Sequence, residues 1–349
     1  MVLSQGNLPP LAVTMGDPAG IGPDITIKSW FLREQYNLPP FFVISDTELY
    51  KKRARTLDVN LPIVEITSPK EAINAFGSAF PVLPIELHGD VIPGRADVAS
   101  AKAVLNSIQT AITFIKQKQA CAVVTNPIQK SILYNAGFSY PGHTEYLAAL
   151  AQDIFDEPEC LPVMMIAIPE LRVVPATLHI PLNAVFEHLT TDILIKTAQV
   201  VAADLERCFI NNPARIAFTG LNPHAGEEGH LGNEENEIII PAIKILRDKG
   251  YNITGPHPAD TLFHKAARKN YDVVIAMYHD QALIPVKTLG FDLGVNTTLG
   301  LPFIRTSPDH GTACDIAGLG TANPRSLIEA ITLAHRMATK NKQRDSQSA

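Results

Sequence analysis

Cysteine is sparse in this 349-residue chain: Cys121, Cys160, Cys208 and Cys314 lie far apart and in no paired spacing. Without a C-x-x-C pair, neither a zinc ribbon nor a redox dithiol is suggested. Scattered thiols suit a reducing compartment, where they behave as small core residues. A basic block is also missing, and the formal net charge is -6. That balance disfavours a nucleic-acid surface but permits local basic pockets for an anionic small molecule. No apolar run approaches the ~20 residues that cross a bilayer, so no membrane association is expected. The N-terminal MVLSQGNLPPLAV has no basic segment leading into a sustained apolar stretch, hence no signal peptide is expected. These absences together predict a cytoplasmic protein.

Core-forming material is plentiful. Hydrophobic residues make up 46% of the chain and charged residues 18%. At roughly 150 residues per domain, the length predicts about two domains. Strands are expected at 11–15, 41–45, 122–125, 163–168, 172–177, 215–219 and 273–277. Several are apolar throughout, as strands buried on both faces are. Helical periodicity marks 99–117, 191–209, 235–249 and 324–339, and the polar tail after Lys340 reads as frayed. Strand–helix alternation of this kind predicts an α/β protein with largely parallel sheets. No Gly/Ser-rich linker and no repeat divides the chain. Two domains sharing a continuous core, with the chain crossing between them more than once, are therefore expected.

Parallel sheets place ligands beyond the carboxyl ends of their strands. The first expected strand runs into GDPAGIGPD, residues 16–24, whose glycines permit close backbone approach and whose prolines fix the loop. It is not G-x-G-x-x-G and no P-loop Lys-Ser/Thr follows, so a tight strand-to-helix turn explains it equally well. Three histidines stand in a common context. His179 follows a strand in ATLHIPL, His224 in FTGLNPHAGEEGH, and His279 in VVIAMYHDQ. Neutral imidazoles are common ligands of zinc and similar cations, and three leave coordination positions open for substrate. A lone histidine is more often a hydrogen-bonded structural residue, and there is no H-E-x-x-H shortcut here.

A second set suits an anion. His143 and Thr144 lie in YPGHTEYLA, close to an expected helix start where backbone amides favour phosphate. Lys287 in LIPVKTLG and Arg305 in LPFIRTSPDHGTA have apolar neighbours, where a cation needs an anionic partner. Arginine offers a planar fork and lysine a compact charge, but an internal Asp or Glu could serve either of them. Asn296 in GVNTTLGLP reads equally as a polar contact or a turn residue. Asp260 in PHPADTLF and Asp280 beside His279 could orient a histidine, and Asp260 could take part in proton transfer. Isolated carboxylates are usually solvated or capping.

Taken together, MGDPAGIGPD, TNPIQK, PGHTEYLA, GLNPHAGEEGHLG, YHDQALIPVK and GVNTTLGLPFIRTSPDHGTA resemble the 4-hydroxythreonine-4-phosphate dehydrogenase family. The segments run from near residue 14 to past residue 312, in family order. The resemblance implies an isocitrate/isopropylmalate-dehydrogenase-like fold: two α/β/α domains with a cleft between them, in a homodimer. The division it suggests is residues 1–130 with 306–349 as one domain and 131–305 as the other. It places metal ligands on His179, His224 and His279, with one histidine lent by the partner subunit. It places substrate contacts on His143, Thr144, Lys287, Asn296 and Arg305, and all eight positions carry the expected residue types.

The implied reaction is NAD- or NADP-dependent oxidation of 4-phosphooxy-L-threonine. Decarboxylation to 3-amino-2-oxopropyl phosphate follows, with one divalent cation (Zn, Co, Mg or Mn) per site. Lys287, Asp260 or a metal-bound water could take the hydroxyl proton. Cofactor contacts are not located, although the 16–22 loop and the GLGLPF–DHGTA segment are possible. A sister dehydrogenase acting on threonate or erythronate 4-phosphate is the nearest alternative. A phosphate-binding or acyltransferase-like protein that keeps the fold is a further one.

Overall fold

The run FFVIS at Phe41–Ser45 buries every side chain, which only a strand covered on both faces can do. The computed structural model describes residues 8–140, 142–157 and 160–348, the side chains of His143, Gln347 and Ser348 excepted. Five strands come first: β1 (Leu11–Thr14), β2 (Phe41–Ser45), β3 (Ile63–Glu65), β4 (Phe80–Pro84) and β5 (Val123–Val124). Six follow: β6 (Val163–Ile168), β7 (Leu171–Pro175), β8 (Arg215–Thr219), β9 (Asn252–His257), β10 (Val273–Ala276) and β11 (Val295–Leu299). The last is β12 (Arg305–Pro308).

The chain divides into two compact units. The first takes the chain up to Pro162 and again from Leu301; the second is Val163–Gly300. The sequence-based division fell instead at 130/131 and 305/306. Residues 131–155 belong with the first unit because the helices Lys130–Asn135 and His143–Phe155 bury Leu133, Leu147, Leu150 and Ala151 in its core. Leu301 and Phe303 join the same core from the far end of the chain.

In the first unit the strands run β3-β4-β2-β1-β5-β12, every pairing parallel. The helix Ala101–Lys116 covers this sheet with Val104, Ile108, Ala111 and Ile112, a spacing that keeps them on one stripe. Over Val98–Lys116 its mean hydropathy of 1.2 meets the length and apolarity of a bilayer span. In sequence the stretch is interrupted by polar residues, and its apolar stripe packs into the core.

In the second unit the order is β11-β6-β7-β10-β8-β9. β7, β10, β8 and β9 pair in parallel, whereas β6 is antiparallel to both β7 and β11. A separate core of Ile166, Val173, Val274, Ala282 and Val286 lies under the helix His279–Gly290. The last helix, Arg325–Ser348, continues past Lys340, where a frayed tail was expected, because NKQRDSQS contains no glycine or proline to end it.

Candidate metal centre and anion-binding residues

The three histidines lie just past the carboxyl ends of β7, β8 and β10, all in the second unit. His179 is exposed and holds a φ of 51°. His279 opens the helix His279–Gly290, after Tyr278 in extended conformation. Their ring centroids are 5.8 Å apart at an interplanar angle of 44°. His279 Nδ1 stands 2.7 Å from Asp280 Oδ1. With the proton on Nδ1, the ring donates to that carboxylate and presents Nε2 as a ligand, the arrangement common behind metal-bound histidine.

His224 is built differently. It opens a run of left-handed residues in which His224, Ala225, Gly226, Glu227 and Glu228 all have φ between 45° and 80°. Four of the five carry a Cβ, and the conformation costs an L-residue roughly 1–2 kcal/mol. The turn points the His224 ring into solvent, with Nδ1 3.1 Å from Glu227 Oε2, so it too has a carboxylate behind it. Among the described residues, no group of three or more His, Cys, Asp or Glu gathers within a single chain into a set that could hold a metal ion. His179 and His279 are brought together; His224 is not brought to them. The donor chemistry of the pair nonetheless fits a divalent cation: two imidazoles, one oriented by a carboxylate, next to open solvent.

Side chains that sequence reasoning passed over tie these strand ends together. Thr177 Oγ1 donates to the Met277 carbonyl at 2.8 Å, linking the end of β7 to that of β10. Gln281, two residues beyond His279, accepts at Oε1 from Thr219 Oγ1 and from Met277 N–H, both at 2.7 Å. Its Nε2 donates to the Gly220 carbonyl at 2.8 Å, so one amide links the ends of β8 and β10. Glu235, 2% exposed, accepts from the backbone N–H groups of Leu221 and Asn222. In sequence Glu235 sits within NEENE, which reads as a solvated acidic run.

Lys287 is half-buried on the helix His279–Gly290, with Nζ 5.2 Å from the centre of the Phe291 ring. Asn296 is half-buried on β11, opposite Ile166 of β6. Asp260 is exposed on the short helix Ala259–Leu262. In the first unit, Arg305 opens β12 and is 4% exposed. Its Nε and Nη2 both donate to Thr125 Oγ1, at 3.0 and 2.8 Å. Burial pulls the guanidinium down from 12.5 to about 10, which leaves it a cation at neutral pH. Thr144 is half-buried in the first turn of the helix His143–Phe155. The His143 side chain lies outside the described residues.

In the 16–22 loop, four backbone amides donate to other groups of the protein: Asp17 N–H to Pro127 O, Ala19 N–H to Asp17 Oδ1, Gly20 N–H to Asp17 O, and Ile21 N–H to Thr312 O. Gly16 is required where it stands, since φ is +68° and a Cβ would lie 2.6 Å from that of Asn126. Under the loop, Asp24 and Arg53 form a fully buried ion pair. Arg53 also donates to the Gly20 and Pro18 carbonyls, both at 3.0 Å. The loop makes the tight turn from β1 into the helix Gly22–Phe31.

The sequence pattern of the pyridoxal phosphate biosynthetic protein PdxA matches residues 37–334. This chain belongs to that family. It is 52% identical over 336 residues to a 4-hydroxythreonine-4-phosphate dehydrogenase of Bradyrhizobium diazoefficiens, covering 94% of this chain and 97% of that one. It is 51% identical over 329 residues to the enzyme of the same name from Xanthobacter autotrophicus, with 94% and 93% covered. The crystal structure of the Klebsiella pneumoniae 4-hydroxythreonine-4-phosphate dehydrogenase superposes with a TM-score of 0.83 at 36% identity, over 95% of this chain and 99% of that one. PdxA membership therefore makes the chain an oxidoreductase of pyridoxal phosphate biosynthesis with an α/β fold. A dehydrogenase family also brings with it a nicotinamide cofactor.

Proposed function

We propose that this chain oxidises the secondary alcohol of 4-phosphooxy-L-threonine with NAD or NADP. The resulting β-keto acid loses carbon dioxide to give 3-amino-2-oxopropyl phosphate. The observation that carries the reading is the His179–His279 pair at neighbouring strand ends, 5.8 Å apart, with Asp280 behind one ring. The 52% identity to an enzyme of this name supports the choice of substrate.

In this reading His179, His224 and His279 hold one divalent cation. Of zinc, cobalt, magnesium and manganese, imidazole donors favour zinc or cobalt. When bound, the cation polarises the substrate hydroxyl and offsets the charge left by decarboxylation, while the nicotinamide accepts the hydride. Asp280 and Glu227 keep the proton on Nδ1 of His279 and His224, so that Nε2 is the ligating atom. Lys287, Arg305, His143 and Thr144 bind the anionic ends of the substrate and supply orientation. Asn296 adds a polar contact. Asp260 and Lys287 are the side chains assigned to proton transfer at the hydroxyl.

A homodimer with shared sites completes the centre, the partner subunit's His224 supplying the third ligand. Support comes from the separation of His224 from the other two rings in one chain. Large apolar side chains left exposed in the second unit, Phe291 at 72% and Ile284 at 62%, are further support. Four cysteines, none in paired spacing, agree with a cytoplasmic enzyme.

Nicotinamide reduction measured with metal and each candidate substrate tests the reading. The expected result is a larger kcat/KM for 4-phosphooxy-L-threonine than for threonate or erythronate 4-phosphate. The opposite order would reassign the enzyme to the sugar acid, and no reduction with any of them would remove the redox assignment.

A further inference from the structure

The loop that presents His224 closes around a carboxylate for which the reaction has no use. Glu235 Oε1 accepts from Leu221 N–H at 2.7 Å and Asn222 N–H at 2.8 Å, and Oε2 accepts from Asn222 Nδ2 at 2.9 Å. A Cβ on Gly226 would lie 2.6 Å from Oε2, and one on Gly220 3.0 Å from Oε1. Gly220, ahead of the turn, and Gly226, at its middle, therefore leave no room for a side chain beside either oxygen. A carboxylate at 2% exposure is costly to desolvate unless donors fill its oxygens. Here all three of these donors come from the two residues just before the turn. Glu235 itself begins the π-helical turn Glu235–Ile239, which continues into the helix Ile240–Asp248 and so gives the carboxylate a fixed base.

A run of left-handed residues would otherwise relax toward ordinary backbone. We propose that Glu235 is the positioning residue for His224: it holds the left-handed turn so that the imidazole is preformed for the metal ion. The proposal rests on the reading of His224 as a metal ligand. It adds a buried residue that touches neither metal nor substrate.

The test is Zn²⁺ or Co²⁺ affinity, measured by chelator competition on the full-length chain as purified, for wild type, Glu235→Gln, His224→Ala and the double variant. Glutamine still accepts at Oε1 but turns an N–H toward the Asn222 Nδ2 donor. The expected loss for Glu235→Gln is about 10- to 100-fold, the range seen when an orienting partner is removed. In the double variant the Glu235→Gln loss is expected to vanish, because the ring it positions is gone. A purely structural carboxylate would give additive losses, and additivity overturns the proposal. Wild-type affinity in Glu235→Gln overturns it as well.

Wild-type affinity in His224→Ala instead removes the ligand reading on which the proposal stands. Should Glu235→Gln fail to fold, Asn222→Ala removes one donor to Oε2. It is expected to weaken binding in the same non-additive way, and additivity there is equally fatal.

Discussion

Arg305 and Asp17 show how burial sets the chemistry of single groups. Arg305 gives both Nε and Nη2 to one hydroxyl, and burial lowers its pKa to about 10. A guanidinium held this way has its plane fixed before any anion arrives. Arg305→Lys keeps the charge but loses the fork, and kcat/KM is expected to fall by about 100-fold or more in steady-state assays. Asp17 is 3% exposed and burial raises its pKa above the ordinary 3.8, against the hydrogen bonds from Ala19 and Gly20. A carboxyl whose folded pKa is raised releases its proton first in the unfolded chain. Stability should therefore fall as pH rises from 3.8 toward the folded value, then level off. Asp17→Asn keeps an acceptor for Ala19 N–H and removes that decline. Thermal melts from pH 3 to 7 should show the variant gaining on wild type across that window, with no gain at the acid end.

At the scale of elements, the buried Asp24–Arg53 pair fastens the first strand-to-helix turn. Arg53→Met leaves Asp24 charged and buried, and urea unfolding is expected to show a loss of about 3–5 kcal/mol. Adding Asp24→Asn should recover part of it, since the uncompensated charge is then gone. The apolar strands were legible because their runs have one reading: FFVIS and VMMIAI are buried whichever face they turn. β12 was not, because RTSP has the composition of a turn and becomes a strand only by pairing with β5. β4 was hidden by Pro81 and Pro84, and β9 by Gly255 and Pro256. The histidines could be singled out because each stands just past an apolar run. The groups that hold their loops could not, because the contacts of Glu235 with Asn222, Gln281 with Gly220 and Thr177 with Met277 span 13, 61 and 100 residues of sequence.

For the whole molecule, the proposed sharing of His224 between subunits has a direct measurement. His224→Ala and His279→Ala dimers are each expected to be inactive. Mixed and re-equilibrated, half of the dimers are hybrids. Each hybrid carries one intact site out of two, so about one quarter of wild-type activity should return. If all three histidines served from one chain, mixing would restore nothing.

The division of the chain into units also bears on its synthesis. Leu301, Phe303 and β12 belong to the first unit, so the opening 162 residues leave the ribosome lacking an edge of their sheet and part of their core. Residues 163–300 emerge uninterrupted. On stalled chains that end shortly after residue 300, protease protection is expected for the middle of the sequence before its beginning, reversing the usual N-terminal-first order.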